Sequence, residues 1–259
     1  MPQKLIRACQ RDARPFFVLA LQGQADKKIL EGVPHKWSRL GAVNEAVAVL
    51  KAENVDTVVM AGSVRRPSLL EIKPDWRAIQ VFARLGTAAF GDDVMLRAVA
   101  AELEKDGFRL VGAHEIEPQL ITQEGVLTKK MPSPENKTDL EYGIRVVKTL
   151  GQLDVGQAAV VQQGIVIGVE AVEGTDGLLK RCREVRRKGR GGVLVKGCKP
   201  QQDRRLDLPA AGIRTVARAF EAGLEGIALE AGASLLLDRD EVVAAADKLG
   251  LFVMGFKAP

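Results

Sequence analysis

Short runs of β-branched and apolar residues alternate with segments whose apolar residues recur at helical spacing. Phe16–Leu21 and Thr57–Ala61 have the composition of buried strands. The apolar positions between them follow the spacing of one helix face: Leu40, Val43, Ala46, Val47 and Leu50. Neighbouring parallel strands need such a crossover. The pattern predicts an α/β fold whose first domain is Rossmann-like with a largely parallel sheet.

The same alternation continues to the end of the chain. A helix is expected from Asp92 to Gly107, followed by the strand FRLVG, and another helix from Asp139 to Leu150. Two apolar runs on either side of a Gln-Gly turn then predict a β-hairpin. Further strands and helices alternate beyond it: strands Gly191–Val195, Gly226–Leu229, Ser234–Leu237 and Phe252–Gly255, with helices Thr215–Ala222 and Asp240–Leu249. This half is predicted to be α/β with a mixed sheet.

The segment TKKMPSPENKT, residues 128–138, contains two prolines and no periodic apolar face, as is typical of a linker. We therefore expect an N-terminal α/β domain over residues 1–130, on the nucleotide side. A C-terminal α/β domain over residues 138–259 would carry the catalytic residues.

The composition restricts the class of protein. With 46% hydrophobic and 27% charged residues, the 259-residue chain is expected to be globular. No apolar run approaches the ~20 residues of a membrane-spanning helix, and the first residues lack the features of a secretory signal, so we expect a cytoplasmic protein. Three cysteines without CxxC spacing and two isolated histidines argue against a disulfide framework or a zinc site. Any bound metal should be a hard cation held by oxygen ligands.

Positive charge is concentrated in one region. Lys180–Arg205 contains eleven Lys or Arg against two acids, a local net charge of +9, so the other 233 residues carry −4 of the formal +5. Such a region indicates an anionic partner. The competing interpretation is a solvated helix face on which few cations contact a ligand.

The stretch EAVEGTDG, residues 170–177, is the first candidate site. Gly174 and Thr175 stand where a helix begins, which favours phosphate through exposed N–H groups and the helix dipole. Glu173 and Asp176 would repel phosphate unless a cation bridged them, which suggests a divalent metal. The alternative is an ordinary helix cap by Thr175 or Asp176.

The second candidate is KGCKPQQDRRLDLPAAG, residues 196–212. Four cations, Lys196, Lys199, Arg204 and Arg205, offer donors to phosphate oxygens, and Asp207 can accept a proton from water or hold Mg²⁺. Leu206, Leu208 and Pro209 surround Asp207, so we expect a fixed, partly dry acid. The alternative is an exposed salt bridge with a neighbouring arginine, worth only ~0–1 kcal/mol.

Two further loops hold candidates. AGSVRRP follows the strand at residues 57–61, so Gly62, Ser63 and Arg66 lie where open parallel sheets bind nucleotides or sugars. The alternative is an ordinary βα loop, which this stretch alone favours. The stretch FGDD places Asp92 as a helix cap or a sugar or metal contact. No GxxxxGK[ST] loop or GxSxG elbow occurs, and with one Tyr and two Trp the chain lacks an aromatic platform for single-stranded bases.

Several motifs recur in an order that resembles a known family. They are GAHEI at residues 112–116, GQAAVV at 156–161, EGTD at 173–176, KP at 199–200, LDLPAAG at 206–212 and DKLGLFVMG at 247–255. This order resembles the LpxI-type UDP-2,3-diacylglucosamine diphosphatases of the lipid A pathway, and the likeness runs from Pro2 to the end. It implies Mg²⁺-dependent hydrolysis to UMP and 2,3-diacylglucosamine 1-phosphate, with water attacking the phosphorus nearer the sugar, in an enzyme of two α/β domains.

The resemblance assigns roles to residues of this chain. The family's essential aspartate falls on Asp207. Together with Asp176 of the first candidate site it is a catalytic candidate, and both, with Glu173, are the candidate metal ligands. The remaining candidates are assigned to substrate or phosphate binding: Gly62, Arg66, Asp92, Gln157, Gly174, Thr175, Lys196, Lys199 and Arg204. The expected partners are the UDP-linked lipid and, peripherally, the inner face of the cytoplasmic membrane. A homodimer is one option for assembly.

Family members usually begin with a further strand and a glycine-rich loop ending in Leu-Pro, whereas this chain starts at Met1-Pro2. We therefore expect weaker folding or activity, because that loop's amides would help to hold the nucleotide. Two other classes stay open: a nucleic-acid-binding protein using residues 180–205, and a dinucleotide-dependent oxidoreductase on the first domain. A steep loss of nucleic-acid affinity with salt would indicate the former, and tight NAD binding the latter.

Overall fold

The structure is a computed structural model that describes residues 1–62, 64, 74–85 and 92–258, with the side chains of Asp92 and Asp93 outside the description. It divides into two compact units. The first is Met1–Glu117 with Arg205–Asp207, and the second is Pro118–Arg204 with Leu208–Pro259. Both contain helices and strands, so the prediction of two α/β domains is confirmed.

The first unit begins with a helix that the strand and helix patterns did not reveal. Its elements are α1 Pro2–Arg11, β1 Val18–Leu21, β2 His35–Ser38, α2 Val43–Ala52, β3 Thr57–Val59, α3 Trp76–Leu85, α4 Asp92–Lys105, β4 Arg109–Val111 and the short α5 Ala113–Ile116, with a 3₁₀ turn at Lys27–Leu30. Pro2 occupies the first turn of α1, where its missing N–H is tolerated. Leu5, Ile6 and Ala8 give α1 its buried face.

Within the first unit the described strands pair in parallel, β1 with β2 and β3 with β4. The parallel arrangement was predicted, but β2 was not, because His35 and Lys36 are exposed and lack a strand's apolar pattern. The expectation that β1 and β3 are buried strands is wrong. Only Ala20 of β1 is buried, and Thr57 of β3 is exposed.

The core of the first unit lies between α2, α4 and β4. Its buried members are Val47, Leu50, Ala100, Leu103, Phe108, Leu110 and Leu206. Beside it, the 7% exposed Glu102 side chain accepts from Arg77 at 2.8 Å, Arg84 at 2.9 Å and Lys105 at 2.6 Å. Hydrogen bonding by Lys105, followed by that of Arg77 and Arg84, lowers the pKa of Glu102 to about 2 against the opposing effect of burial. This carboxylate joins α3 to α4.

The second unit contains a six-stranded mixed sheet in the order β5-β12-β10-β8-β6-β7. Its elements are a 3₁₀ turn Pro118–Leu120, β5 Gly125–Val126, α6 Pro134–Gln152, β6 Ala158–Gln162, β7 Ile165–Val169, α7 Gly174–Val185, β8 Val193–Lys196, β9 Ala210–Ala211, α8 Ile213–Glu221, β10 Gly226–Glu230, β11 Leu235–Leu236, α9 Arg239–Leu249 and β12 Phe252–Phe256. β9 and β11 form a separate parallel pair. The predicted mixed sheet is confirmed.

Both faces of the central strands are buried, as their continuous apolar runs require. One face packs against α7, α8 and α9 through residues such as Leu178, Leu194, Val216 and Val242, and the other against α6 through residues such as Leu140. In the part of the chain that is described, no helix is long and apolar enough to cross a membrane.

The predicted hairpin is formed by β6 and β7, which pair antiparallel. Its turn residues Gln163 and Gly164 have φ angles of 54° and 76°, and positive φ at both positions is what a type I′ turn requires. Asp139 of α6 accepts from both turn amides, at 3.1 and 2.7 Å, and from Arg190 at 2.8 Å. The Asp139 side chain is only 1% exposed, so this carboxylate fixes the turn from inside the protein.

The boundary between the units differs from the predicted linker. The division falls between Glu117 and Pro118, and Gly125–Val126 pairs with β12 inside the large sheet. Ser133 and Asn136, in the supposed linker, form a capping box at the start of α6. The linker pattern was misread because Pro and Ser are also the preferred residues of a helix start.

Candidate functional site

Four strands of the second unit end at the same edge of the large sheet. β8, β10 and β12 are parallel, and β7 runs in their direction because both β7 and β8 are antiparallel to β6. Glu170 follows β7, Lys196 ends β8 and Glu230 ends β10. Ligands of open α/β sheets bind beyond such carboxyl ends. This edge is the candidate site in the second unit.

A buried polar network occupies this edge. Glu170 and Lys196 are only 6% and 4% exposed. The Thr175 hydroxyl donates to Glu170 Oε1 at 2.9 Å and accepts from Lys196 Nζ at 2.8 Å. Lys196 also donates to the carbonyl of Ala210 at 2.9 Å. The two buried charges are therefore joined through one hydroxyl group.

The sheet register explains why these residues meet. Lys196 stands opposite Ala158 on one side of β6, and the Glu170 amide donates to the Ala158 carbonyl at 2.8 Å on the other side. Gly156 has to be glycine here, because a Cβ at this position would lie 2.1 Å from the Glu170 carbonyl oxygen. The close approach holds the end of β7 against the start of β6.

The start of α7 differs from both sequence interpretations. Its N-cap residue is Glu173, without a side-chain capping hydrogen bond, and Gly174 is the first helical residue, with a φ of 69°. Thr175 and Asp176 therefore do not cap the helix. The Thr175 hydroxyl has one hydrogen, which forms a hydrogen bond to Glu170. The hydroxyl is therefore not a free donor for phosphate. The groups at this helix start that can interact with an anion are the backbone N–H groups and the helix dipole.

The two acids near this helix start are paired with arginines. Glu173 accepts a hydrogen bond from Arg181, and Asp176 Oδ2 lies 3.0 Å from Arg214 Nε. Hydrogen bonding by its own backbone N–H, with a smaller contribution from Arg181, lowers the pKa of Glu173. The sequence predicted a cation beside these carboxylates. Arg181 and Arg214 supply at least part of that positive charge.

The predicted phosphate donors have different environments. Lys196 is buried in the network described above, and Lys199 Nζ lies 2.7 Å from Asp154. Arg205 Nη1 lies 2.8 Å from Glu104 of the first unit. Arg204 is exposed. Among the lysine and arginine candidates that the structure describes, Arg204 is the one whose exposure suits direct contact with a ligand.

Asp207 lies in a segment anchored by its neighbours. Leu206 is 9% exposed and joins the core of the first unit, and Leu208 is 7% exposed. Asp207 itself is exposed, so the expectation of a partly dry acid is wrong. By its contacts Asp207 belongs to the first unit, whereas Thr175, Asp176 and Lys196 belong to the second.

The other predicted residues are distributed between the units. Gln157 is half-buried, its carbonyl accepts from Gly197 at 3.0 Å, and within the described chain its Oε1 atom is buried without a hydrogen-bond partner. Gly62 has a φ of 105°, and a Cβ there would lie 3.3 Å from Pro2. Arg66 and Ser63, and the side chain of Asp92, are outside the described residues.

Sequence reasoning missed Glu170 as a member of the buried network. A signal for it was available, because Lys196 ends the apolar run VLVK and a buried lysine requires a nearby acceptor or acid. Asp154 and Arg214, the partners of Lys199 and Asp176, had no local signal. Each is distant in sequence from its partner.

Comparison with known proteins gives consistent results over both units. A family model described as the LpxI N-terminal domain matches residues 1–120, and one described as the LpxI C-terminal domain matches residues 123–254. The chain is 42% identical over 262 aligned positions to the UDP-2,3-diacylglucosamine pyrophosphatase LpxI of Caulobacter vibrioides. That alignment covers 98% of this chain and 93% of the relative.

Proposed function

Because the chain belongs to the LpxI family, we propose that it hydrolyses the diphosphate of UDP-2,3-diacylglucosamine to UMP and 2,3-diacylglucosamine 1-phosphate. The observation that carries this proposal is the full-length likeness to a relative whose name states that activity. Within the second unit, the start of α7, the buried Lys196 and Ala210 meet at one edge of the large sheet, and this arrangement supports the proposal.

The proposed reaction adds water to the phosphorus nearer the sugar. A bond forms between the water oxygen and this phosphorus, and the bond from the phosphorus to the bridging oxygen breaks, so UMP leaves with that oxygen. Asp207, whose exposure gives water access, orients the water and accepts its proton. Arg204 and the amides at the start of α7 stabilise the negative charge, since phosphoryl transfer depends mainly on positioning and charge stabilisation.

The remaining candidates support substrate binding in this proposal. Lys196 contributes positive charge from within the sheet edge, and Lys199 does so from the following loop while paired with Asp154. Gln157 is proposed to bind the substrate once its Oε1 atom, which is buried without a hydrogen-bond partner among the described residues, is uncovered. Gly62, Arg66 and Asp92 are proposed to contact the nucleotide or sugar from the first domain.

Magnesium is proposed as the cofactor, with Asp207, Asp176 and Glu173 as candidate ligands. The described residues do not fit a ready-made protein cage, because they contain no cluster of three or more His, Cys, Asp or Glu side chains able to hold a metal ion. Mg²⁺ is commonly held by one or two carboxylates together with substrate phosphates. These carboxylates would hold the ion together with the substrate's phosphates, and the ion would supply positive charge against the diphosphate.

Product analysis in heavy-oxygen water tests the proposal. The full chain is incubated with UDP-2,3-diacylglucosamine, with and without Mg²⁺, and the products are identified by mass spectrometry. We expect UMP and a labelled sugar 1-phosphate only with Mg²⁺, and loss of both with Asp207→Asn. Label in UMP would contradict the attacked phosphorus, turnover in chelator would contradict the cofactor, and no products would contradict the function.

We also propose that an exposed basic surface on α7 and α8 binds anionic lipid headgroups. A pocket of about 110 Å³ between these helices is lined by Leu179, Lys180, Arg183, Arg218, Glu221 and Ala222. Glu221 Oε2 lies 2.8 Å from Arg218 Nη1 and neutralises its charge. Lys180 and Arg183 then give this surface its excess positive charge. Each cation close to an anionic membrane contributes ~1 kcal/mol.

Vesicle sedimentation tests this surface. The wild-type chain should sediment with phosphatidylglycerol vesicles and remain unbound with phosphatidylcholine vesicles. The double variant Lys180→Glu/Arg183→Glu should lose most of the binding, whereas Lys248→Glu, an exposed change on α9, should keep it. Equal binding of both variants would contradict the assignment to α7 and α8.

A further inference from the structure

The Glu170–Thr175–Lys196 network contains two buried ionisable side chains that both hydrogen-bond to the Thr175 hydroxyl. The Thr175 hydroxyl donates a hydrogen bond to Glu170 and accepts one from Lys196, so the orientation of the hydroxyl is fixed from both sides. Burying a carboxylate and an ammonium group is costly unless each is compensated. The Thr175 hydroxyl hydrogen-bonds to both groups, and this arrangement compensates part of that cost.

The network also joins four segments of the second unit, two of which carry family motifs. Glu170 follows β7, Thr175 lies in the first turn of α7, and Lys196 ends β8. Through its bond to the Ala210 carbonyl, Lys196 reaches the LDLPAAG block, three residues after Asp207. If the Glu170 side chain moved, the start of α7 and Ala210 of the LDLPAAG block would therefore be displaced too, because hydrogen bonds of 2.8–2.9 Å connect them.

Glu170 has a further feature that an ordinary structural acid lacks. Its Oε2 atom is buried without a hydrogen-bond partner within the described residues, although a carboxylate normally accepts several hydrogen bonds. Burying a polar oxygen without a hydrogen-bond donor costs free energy. Such a cost is expected where orientation serves function.

We propose that Glu170 is a positioning residue that orients Thr175 and, through it, Lys196, and so holds the start of α7 and the LDLPAAG block in place for the diphosphate. This role rests on the proposed function. Glu170 itself does not contact the reacting atoms; its charge sets the hydroxyl orientation and keeps the Lys196 ammonium directed at Ala210.

Steady-state kinetics test the positioning role. Glu170→Gln preserves the shape and one acceptor oxygen but removes the charge, and we expect kcat to fall by about 10- to 100-fold with KM changed less than about threefold, the pattern of a lost transition-state arrangement. Thr175→Val should give a comparable loss and Thr175→Ser a smaller one. The matched controls Glu141→Gln and Thr149→Val, on the surface of α6, should not lower kcat. A wild-type kcat in Glu170→Gln would overturn the proposal.

A second measurement does not depend on catalysis. Glu170→Gln, Lys196→Met and the double variant are compared by denaturant unfolding. Each single change should shift the unfolding equilibrium constant by roughly tenfold or more, and the double change by much less than the product, because it removes both buried charges together. Additive effects would overturn the network. If the wild-type chain lacks hydrolase activity while the unfolding effects are non-additive, the proposed function fails and the network stands.

Discussion

Asp176 Oδ2 lies 3.0 Å from Arg214 Nε, so a carboxylate assigned to catalysis and metal binding already has a cationic partner on α8. The side chains are 43% and 80% exposed. An ion pair this exposed contributes only ~0–1 kcal/mol to stability. A metal ion or the substrate can therefore displace Arg214 at small cost.

Replacing Arg214 should make magnesium bind more readily if Asp176 is a ligand. In Arg214→Gln we expect the Mg²⁺ concentration for half-maximal activity to fall about two- to fivefold, because a competing cation of ~0.5–1 kcal/mol has been removed. Activity is titrated with Mg²⁺, and Arg218→Gln on the same helix is the control. An unchanged magnesium requirement in Arg214→Gln would remove Asp176 from the metal site.

The Asp139 carboxylate should be essential to the stability of the second unit. It accepts from the Gln163 and Gly164 amides and from Arg190, and it is 1% exposed. Asp139→Leu leaves these donors unsatisfied, so we expect the free energy of unfolding to fall by ~3–5 kcal/mol. Urea unfolding followed by circular dichroism measures the change, with the exposed Glu141→Leu as the control. A loss below ~1 kcal/mol would contradict this role.

Glu102 should make stability depend on pH in the acid range. Its pKa in the folded protein is lowered to about 2 from the ordinary 4.5 by hydrogen bonds from Lys105, Arg77 and Arg84, in spite of burial. The folded state therefore gains ~1–3 kcal/mol from this carboxylate above pH ~4.5, and this gain is lost as the pH falls toward 2.

Denaturant unfolding of Glu102→Gln across the acid range measures this contribution. The variant should be less stable than the wild type at neutral pH, and the difference should shrink between pH ~4.5 and ~2. The exposed Glu141→Gln should show little difference at any pH. A constant difference between Glu102→Gln and wild type would show that the side chain acts through packing rather than charge.

Gly143 of α6 should not tolerate a methyl group. Alanine usually stabilises a helix by ~0.5–1 kcal/mol relative to glycine, but a Cβ at residue 143 would lie 2.5 Å from Val195 Cγ2 on β8. We expect Gly143→Ala to lower the unfolding free energy by ~1–3 kcal/mol because the helix must move off the sheet. Thermal unfolding checks this, and Gly143→Ala/Val195→Ala should recover part of the loss if the contact is the cause.

The sequence by itself determined the local elements of the second half and the two-unit α/β organisation. Burial on both faces of the sheet gives β6, β8, β10 and β12 their continuous apolar runs, and a turn of two residues with positive φ gives the hairpin. These features depend on near neighbours along the chain. Local patterns failed where the neighbours were polar, as at His35–Ser38, or where turn residues also suit a helix start, as at Ser133 and Pro134.

Only the tertiary structure decided which charges meet. Thr175 and Lys196 are 21 residues apart, Lys199 and Asp154 are 45 apart, and Arg205 and Glu104 are 101 apart. The sheet order brings Glu170 and Lys196 to opposite sides of Ala158, which no spacing in the sequence indicates. Electrostatic partnership depends on distance in space, and this distance is set by strand order and register rather than by position along the chain.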